Sequence, residues 1–186
     1  MFEPRIADRL EIQDVIHRWC RGVDRRDWEL VRTVFHPDAH DDHGMFSGGI
    51  EDMIAWLIER HAEITQSMHH TGNITIDFAG PDKAIVETQI MARQRYAESA
   101  QAARIAMLGE EVGSAPGVLD MSGAGRYVDL FERRDGHWKI AKRIVVYEGL
   151  WAARAADKPQ PDASWPLARR DKGDPLYAEL QAVGLL

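Results

Sequence analysis

The sequence predicts a single α+β domain in which N-terminal helices pack on a mostly antiparallel sheet. Three observations predict this class. Apolar residues recur at intervals of three and four up to about residue 68, which indicates helices. Between residues 74 and 150 they alternate at every second position over long stretches, which indicates strands. The pair Asp135-Gly136 separates two such alternating runs and is a strong hairpin signal.

The first helix is predicted over about residues 5–23, because its apolar residues form one stripe along a helix. The stripe comprises Ile12, Val15, Ile16, Trp19, Cys20 and Val23. Asp27 is the predicted N-cap of a second helix, which carries Trp28, Val31 and Phe35. Pro37 follows that helix and ends it, because proline disfavours a helical conformation in the residue before it.

Shorter elements are predicted next. A strand is expected over about residues 39–46, and the run Ser47-Gly48-Gly49 breaks it. A third helix is expected over about residues 51–68, again from its apolar spacing. The alternation of residues 74–78 then marks a strand, which the turn at 80–82 ends.

Long strands are predicted over residues 84–96, 121–134 and 137–150, which together form an antiparallel meander. The segment 97–120 is rich in Ala and Gly and is predicted as a loop with room for a helical turn. Four prolines follow residue 151. We therefore predict one domain over residues 1–151 and an extended tail over 152–186, with a short helix around 176–183.

The last predicted strand places an arginine on an apolar face. Strand alternation puts Ala141, Arg143, Val145, Tyr147 and Gly149 on one side. The same rule puts Trp138, Ile140, Lys142, Ile144 and Val146 on the other side. Arg143 is then either a buried cation that needs an anionic partner or substrate, or an edge residue that reaches solvent. Tyr127 faces the same way from the preceding strand.

Composition excludes some classes of function. The net charge of −7 argues against non-specific nucleic-acid binding, which needs a surplus of Lys and Arg. No stretch is long and apolar enough to predict a membrane span or a signal peptide. The single cysteine, Cys20, cannot form an internal disulfide. These features lead us to expect a cytoplasmic protein without a nucleic-acid or membrane partner.

Asp24, His69 and His70 are the candidates for proton transfer. Neutral imidazole accepts a proton near pH 7, and a carboxylate on its other ring nitrogen fixes the tautomer and stabilises the imidazolium. Asp24 follows the first helix, and the two histidines precede a strand. The alternative interpretation is that Asp24 is an exposed capping carboxylate and that the histidines are structural.

A second polar cluster raises the question of a metal. It comprises His36, His40, Asp41, Asp42 and His43. The spacing matches no zinc motif, and composition without defined ligand geometry is weak evidence. We therefore predict neither a metal site nor a cofactor.

Three segments carry a resemblance to a known family. They read RLEIQDVIHRWCRGVDRRDWELVRTVFHPDAHDDHG, MHHTGNITIDF and GRYVDLFERRDGHWKIAKRIVVYEGLW. They resemble the SnoaL-like branch of the nuclear transport factor two-like superfamily, and within it the group of hexachlorocyclohexane dehydrochlorinase, scytalone dehydratase and bile-acid dehydratase. The resemblance covers about residues 5–151. It implies a cone-shaped α+β barrel around a pocket, and homodimers or homotrimers.

The resemblance also implies roles for residues of this chain. The aspartate of GVDRRDW, Asp24, and a histidine would form a proton-abstracting dyad. One alignment selects His69, with Asn73 completing an H-x-x-x-N pattern, and another selects His70. Arg143 matches the arginine of the dehydrochlorinase, and with Tyr127 or Tyr147 it would bind the oxygen that gains negative charge. Tyr127, Val145 and Tyr147 match positions that line the pocket.

One departure narrows the expected chemistry. Five residues before Asp24, where the family has lysine or tyrosine, this chain has Trp19. An aromatic wall there argues against dehalogenation and favours a flat or alicyclic substrate. We therefore expect a cofactor-independent lyase or isomerase of small hydrophobic cyclic molecules. The alternatives are a non-catalytic ligand-binding or dimerisation module, and an accessory subunit resembling the small subunit of ring-hydroxylating dioxygenases.

Overall fold

The computed structural model describes residues 5–157 and 159–186, and the side chain of residue 157 is excluded. Residues 1–4 of the predicted domain thus lie outside the described residues. The N-terminal elements are α1 Ile6–Arg25, α2 Trp28–Thr33, β1 Phe35–Asp42, β2 Ser47–Gly49 and α3 Ile50–His61. The later elements are β3 Ile64–Phe78, β4 Lys83–Tyr96, α4 Gln101–Leu108, α5 Glu110–Gly113, β5 Leu119–Arg134, β6 His137–Arg154 and α6 Pro175–Ala182. No helix in these ranges is long and apolar enough to cross a membrane.

The strands form one curved, unclosed sheet in the order β2-β1-β6-β5-β4-β3. Strands β3 to β6 are the predicted antiparallel meander. Strand β1 instead runs parallel to β6, which brings the N-terminal region beside the end of the meander. The α+β class is confirmed.

Helix α1 supplies much of the core. Its predicted apolar stripe is buried, as are α3 residues such as Met53 and Leu57. These side chains pack with inward residues of the sheet, including Val86 and Phe131. Burying this stripe removes apolar surface from water, which is the main favourable term in folding. The C-terminal end of α1 is thereby held against the sheet.

The predicted third helix is too long. It ends at His61, and Ile64 already pairs with Tyr96 across β3 and β4. Ile64 and Met68 fit the helical spacing, but strand pairing decides their conformation. Ile64 is buried, whereas Met68 is 57% exposed. His69 therefore lies within a long strand and not at a helix–strand junction.

The first strand also differs from the prediction. It begins at Phe35, includes His36 and Pro37, and ends at Asp42. Ser47–Gly49, predicted to break a strand, forms β2 and pairs with β1. Parallel pairing with β6, a contact distant in sequence, sets these bounds. The proline does end the second helix, which finishes at Thr33.

The two predicted faces of β6 are only partly correct. The register of β5 against β6 shifts so that Ala141 is skipped: Leu130 pairs with Lys142, and Phe131 pairs with Ile140. Such a bulge moves the alternation by one residue. As a result Ile140 and Arg143 are both buried, although simple alternation places them on opposite faces.

The segment 97–120 contains more helix than expected, namely α4 and α5. The tail is also less extended than expected, because it folds back onto the end of α1. Arg170 is buried there, and the Tyr177 hydroxyl of α6 donates to the Asp27 carboxylate at 3.0 Å. The division into a domain and a tail remains a prediction.

Candidate active site

Asp24 and His69 form a hydrogen-bonded pair. Oδ1 of Asp24 lies 2.7 Å from Nδ1 of His69, and Oδ2 accepts the His69 backbone N–H at 2.8 Å. The Ser67 hydroxyl donates to Oδ1 at 2.8 Å. Asp24 is placed by the last turn of α1, and Ser67 and His69 by alternate positions of β3. The contact thus joins residues 45 positions apart in the sequence.

The environment of Asp24 favours its carboxylate form. Burial works against the charge, but the His69 ring and the hydrogen bonds from His69 and Ser67 lower the pKa below its ordinary value. An ionised carboxylate accepts hydrogen bonds only, so Nδ1 of His69 carries a hydrogen. In the neutral ring, Nε2 is then the acceptor.

His69 and His70 lie on opposite sides of β3. The His69 side chain is only 8% exposed and lines a cavity, whereas His70 is exposed. Asn73 is exposed as well. The pair with Asp24 is therefore made by His69 and not by His70.

The cavity brings most of the remaining candidates together. His69, Trp19, Tyr127, Val145 and Tyr147 all line it, with apolar neighbours including Leu57, Ile90, Met107, Met121 and Leu150. Trp19 Nε1 donates to the Tyr127 hydroxyl at 3.2 Å. The cavity volume is about 70 Å³. Its mostly apolar lining with a few polar groups is typical of small-ligand sites.

Arg143 does not belong to this lining. It is fully buried and donates to both carboxylate oxygens of Asp129, at 2.8 and 2.6 Å. Its guanidinium carbon lies 4.0 Å from the centre of the Tyr127 ring. Burial opposes its charge, yet Asp129 raises its pKa above the ordinary value. The buried cation thus has an anionic partner, and the tyrosine ring covers it.

A second histidine–carboxylate pair was missed by the sequence reasoning. Nδ1 of His43 contacts Oδ1 of Asp41, and His43 lines the same cavity as His69. The other histidines of that cluster bind elsewhere: His36 contacts the Glu132 carbonyl, and His40 contacts the Ser47 hydroxyl. No group of three metal-binding side chains occurs within the described residues. In the sequence these residues suggested only metal ligands, and the pair of Asp41 with His43 was not predicted.

Arg60, His61 and Arg170 form a further polar group that was not predicted. His61 lines the cavity between Arg60 and Arg170, at 2.9 and 2.8 Å. Burial and the two arginines hold its pKa well below the ordinary value, which keeps it neutral. Arg60 also lines the cavity. A sequence signal for this group is helical spacing, which puts His61 on the same side of α3 as Ile54 and Leu57.

The fold and cavity define the class, a cone of the nuclear transport factor two type. The family model of the SnoaL-like domain matches residues 4–144. The chain belongs to this family. No curated protein matches the sequence.

Solved structures share the fold at low identity. A hexachlorocyclohexane dehydrochlorinase of type 2 is 19% identical with a TM-score of 0.68, over 87% of this chain and 97% of the other. A proposed scytalone dehydratase from Novosphingobium aromaticivorans is 20% identical with a TM-score of 0.63, over 84% and 97%. A protein of unknown function from Mycobacterium tuberculosis is 19% identical with a TM-score of 0.58, over 97% and 88%. At these identities the likeness shows the fold alone.

Proposed function

We propose that the protein is a cofactor-independent lyase or isomerase that removes a proton from a small hydrophobic cyclic molecule. The observation that carries this proposal is the partly buried hydrogen bond between Asp24 and His69 at the wall of a largely apolar cavity. The named dehydrochlorinase and dehydratase neighbours support an elimination reaction.

His69 would act as the base. Its Nδ1–H is held by Asp24, so Nε2 is the nitrogen that would take a proton from a substrate carbon. The Asp24 carboxylate would then stabilise the imidazolium that forms. His70 would have no part in this step, because its side chain lies on the other side of the strand.

The lining suggests how the substrate is bound. Trp19 and Val145 would pack against a flat or alicyclic ring, and Tyr147 would lie at its edge. The Tyr127 hydroxyl would donate to an oxygen that gains negative charge, an electrostatic effect that stabilises transition states. Arg143, predicted to bind this oxygen directly, would instead act from behind the Tyr127 ring. Homodimers or homotrimers remain a prediction.

A benzisoxazole tests the proposed base without knowledge of the natural substrate. Loss of its ring C–H proton forms a nitrile, the N–O bond breaks, and a coloured phenolate leaves. We expect the wild type to turn over nitrobenzisoxazole, and His69→Asn to lower kcat/KM by about 10²–10⁴-fold.

His70→Asn is the matched control, since it changes the neighbouring histidine on the exposed side of the same strand. It should leave the rate unchanged. Equal rates for the wild type and His69→Asn would contradict the proposal. Binding of the ring compound without turnover would favour the alternative, a non-catalytic ligand-binding module.

A further inference from the structure

The cavity is bordered by two histidines that are held in the same way. Each has Nδ1 on a buried carboxylate, His69 on Asp24 and His43 on Asp41. Neither Nε2 has a hydrogen-bond partner among the described residues, and both histidines line the cavity. Trp19 and Trp56 pack beside the His43 ring, with centroids at 6.1 and 5.5 Å. Such a pair is more than is needed to remove one proton.

The buried charges around the two pairs differ. Asp41 and Asp129 are both fully buried. The negative charges of both favour the cationic form of the buried Arg143. Among the described residues Arg143 donates its side-chain hydrogen bonds to Asp129 and not to Asp41. Oδ2 of Asp41 has no hydrogen-bond partner in the described part of the chain, so His43 is the group that compensates this carboxylate.

The Asp24 carboxylate has a different environment. Arg170 is buried beside it, donates to the Asp24 carbonyl oxygen at 2.9 Å and is affected by the Asp24 charge. The two carboxylate oxygens of Asp24 also accept from the Ser67 hydroxyl and the His69 backbone N–H, which are neutral donors. The Asp41 carboxylate therefore depends on the ring of its histidine for compensation, whereas the Asp24 carboxylate has other donors.

We propose that His43 is a second catalytic residue, the general acid that completes the reaction begun by His69. This rests on the proposed function. In an elimination, Nε2 of His69 takes the proton, and the C–H electron pair forms the new double bond. The carbon–oxygen bond breaks with its electron pair on oxygen. Nε2–H of His43 protonates that oxygen, which leaves as water or an alcohol. Exchange with solvent then restores both rings.

The proposal favours substrates with a poor leaving group, such as a ring hydroxyl. A hydroxyl leaves only when it is protonated, whereas a halide leaves as an anion without a proton. The aromatic Trp19 in the cavity wall agrees with this preference, since no cation occupies that position to receive a halide. The substrate class is thus a small cyclic alcohol with an acidic C–H next to the carbon that bears the hydroxyl.

The test compares leaving groups. Nitrobenzisoxazole releases a stable phenolate that needs no proton, and unsubstituted benzisoxazole releases a more basic one. We expect His43→Asn to lower kcat/KM by about 10²-fold on the unsubstituted compound and by less than about threefold on the nitro compound. Asparagine keeps an N–H donor for Asp41 but removes Nε2. His40→Asn, in the adjoining strand β1 and with an exposed side chain, is the control and should change neither rate.

The outcomes separate the two proposals. Equal losses on both compounds, or no loss, would overturn the role of His43 while His69→Asn still tests the base. A wild type without turnover would overturn both. If His43→Asn does not fold, as judged by circular dichroism, the wild type itself gives the answer. Between the two benzisoxazoles, log kcat/KM of the wild type should depend less steeply on the basicity of the phenolate than the rate of the reaction with hydroxide does. An equally steep dependence would contradict the role of His43 as the general acid.

Discussion

The two histidine–aspartate pairs have similar hydrogen bonds but differ in sequence separation and in surrounding charge. Asp41 and His43 are two residues apart on one stretch of chain, whereas Asp24 and His69 are 45 residues apart. Arg170 accompanies the distant pair, and Arg143 with Asp129 accompanies the local one. The comparison teaches that similar ring contacts need not mean similar carboxylates. Asp24 also accepts two further hydrogen bonds, whereas Oδ2 of Asp41 has no partner within the described residues.

The largest effect is expected from Asp24→Asn. The amide cannot accept the Nδ1–H of His69 as a carboxylate does, so the ring loses both its fixed tautomer and its stabilisation as a cation. We expect kcat/KM on nitrobenzisoxazole to fall by about 10²–10⁴-fold. Asp41→Asn should lower it far less on the same compound. Equal losses in the two variants would remove the distinction between the pairs.

The next largest effect concerns the cation behind the local pair. Arg143→Met leaves Asp129 buried without its partner and Asp41 without a neighbouring positive charge. We expect the free energy of unfolding, measured in urea, to fall by about 3–5 kcal/mol. The double variant with Asp129→Leu should recover part of this loss. A single-variant loss below about 1 kcal/mol would show that the pair is unimportant to the fold.

A smaller effect is expected from the cation behind the distant pair. Arg170 donates to the backbone oxygens of Val23, Asp24 and Ile64, which ties the tail to the end of α1. We expect Arg170→Ala to lower the free energy of unfolding by about 1–3 kcal/mol. Arg169→Ala is the control, because Arg169 is exposed and bonds Asp171. A similar loss in both variants would mean that any change in this part of the tail lowers the free energy of unfolding. The backbone contacts of Arg170 would then have no specific effect.

The smallest effect concerns how the free energy of unfolding changes with pH in the acid range. The pKa of Asp24 is lowered in the folded protein from its ordinary value of 3.8. Its ionised form therefore stabilises the fold fully above pH 3.8, and this contribution is lost as the pH falls through the folded pKa. The loss of unfolding free energy on acidification should be smaller in Asp24→Asn than in the wild type. Parallel pH profiles would show that Asp24 is not ionised preferentially in the fold.

The sequence predicted those features that depend on neighbours along the chain. The stripe of α1, the Asp27 cap and the hairpin at Asp135-Gly136 are local patterns, and all three occur as predicted. Alternation also placed Tyr127 on the buried side of its strand, where it lines the cavity. The resemblance implied that Asp24 pairs with a histidine, and the side chains of Asp24 and His69 do meet.

Tertiary contacts decided the rest. Pairing of β3 with β4 turned the end of the predicted third helix into strand, and thereby chose His69 over His70 as the partner of Asp24. A bulge at Ala141 and the bidentate contact with Asp129 put Arg143 behind the cavity wall. The physical reason is that periodicity specifies which side of an element is apolar, whereas register, bulges and compensation of buried charge depend on residues far apart in the sequence.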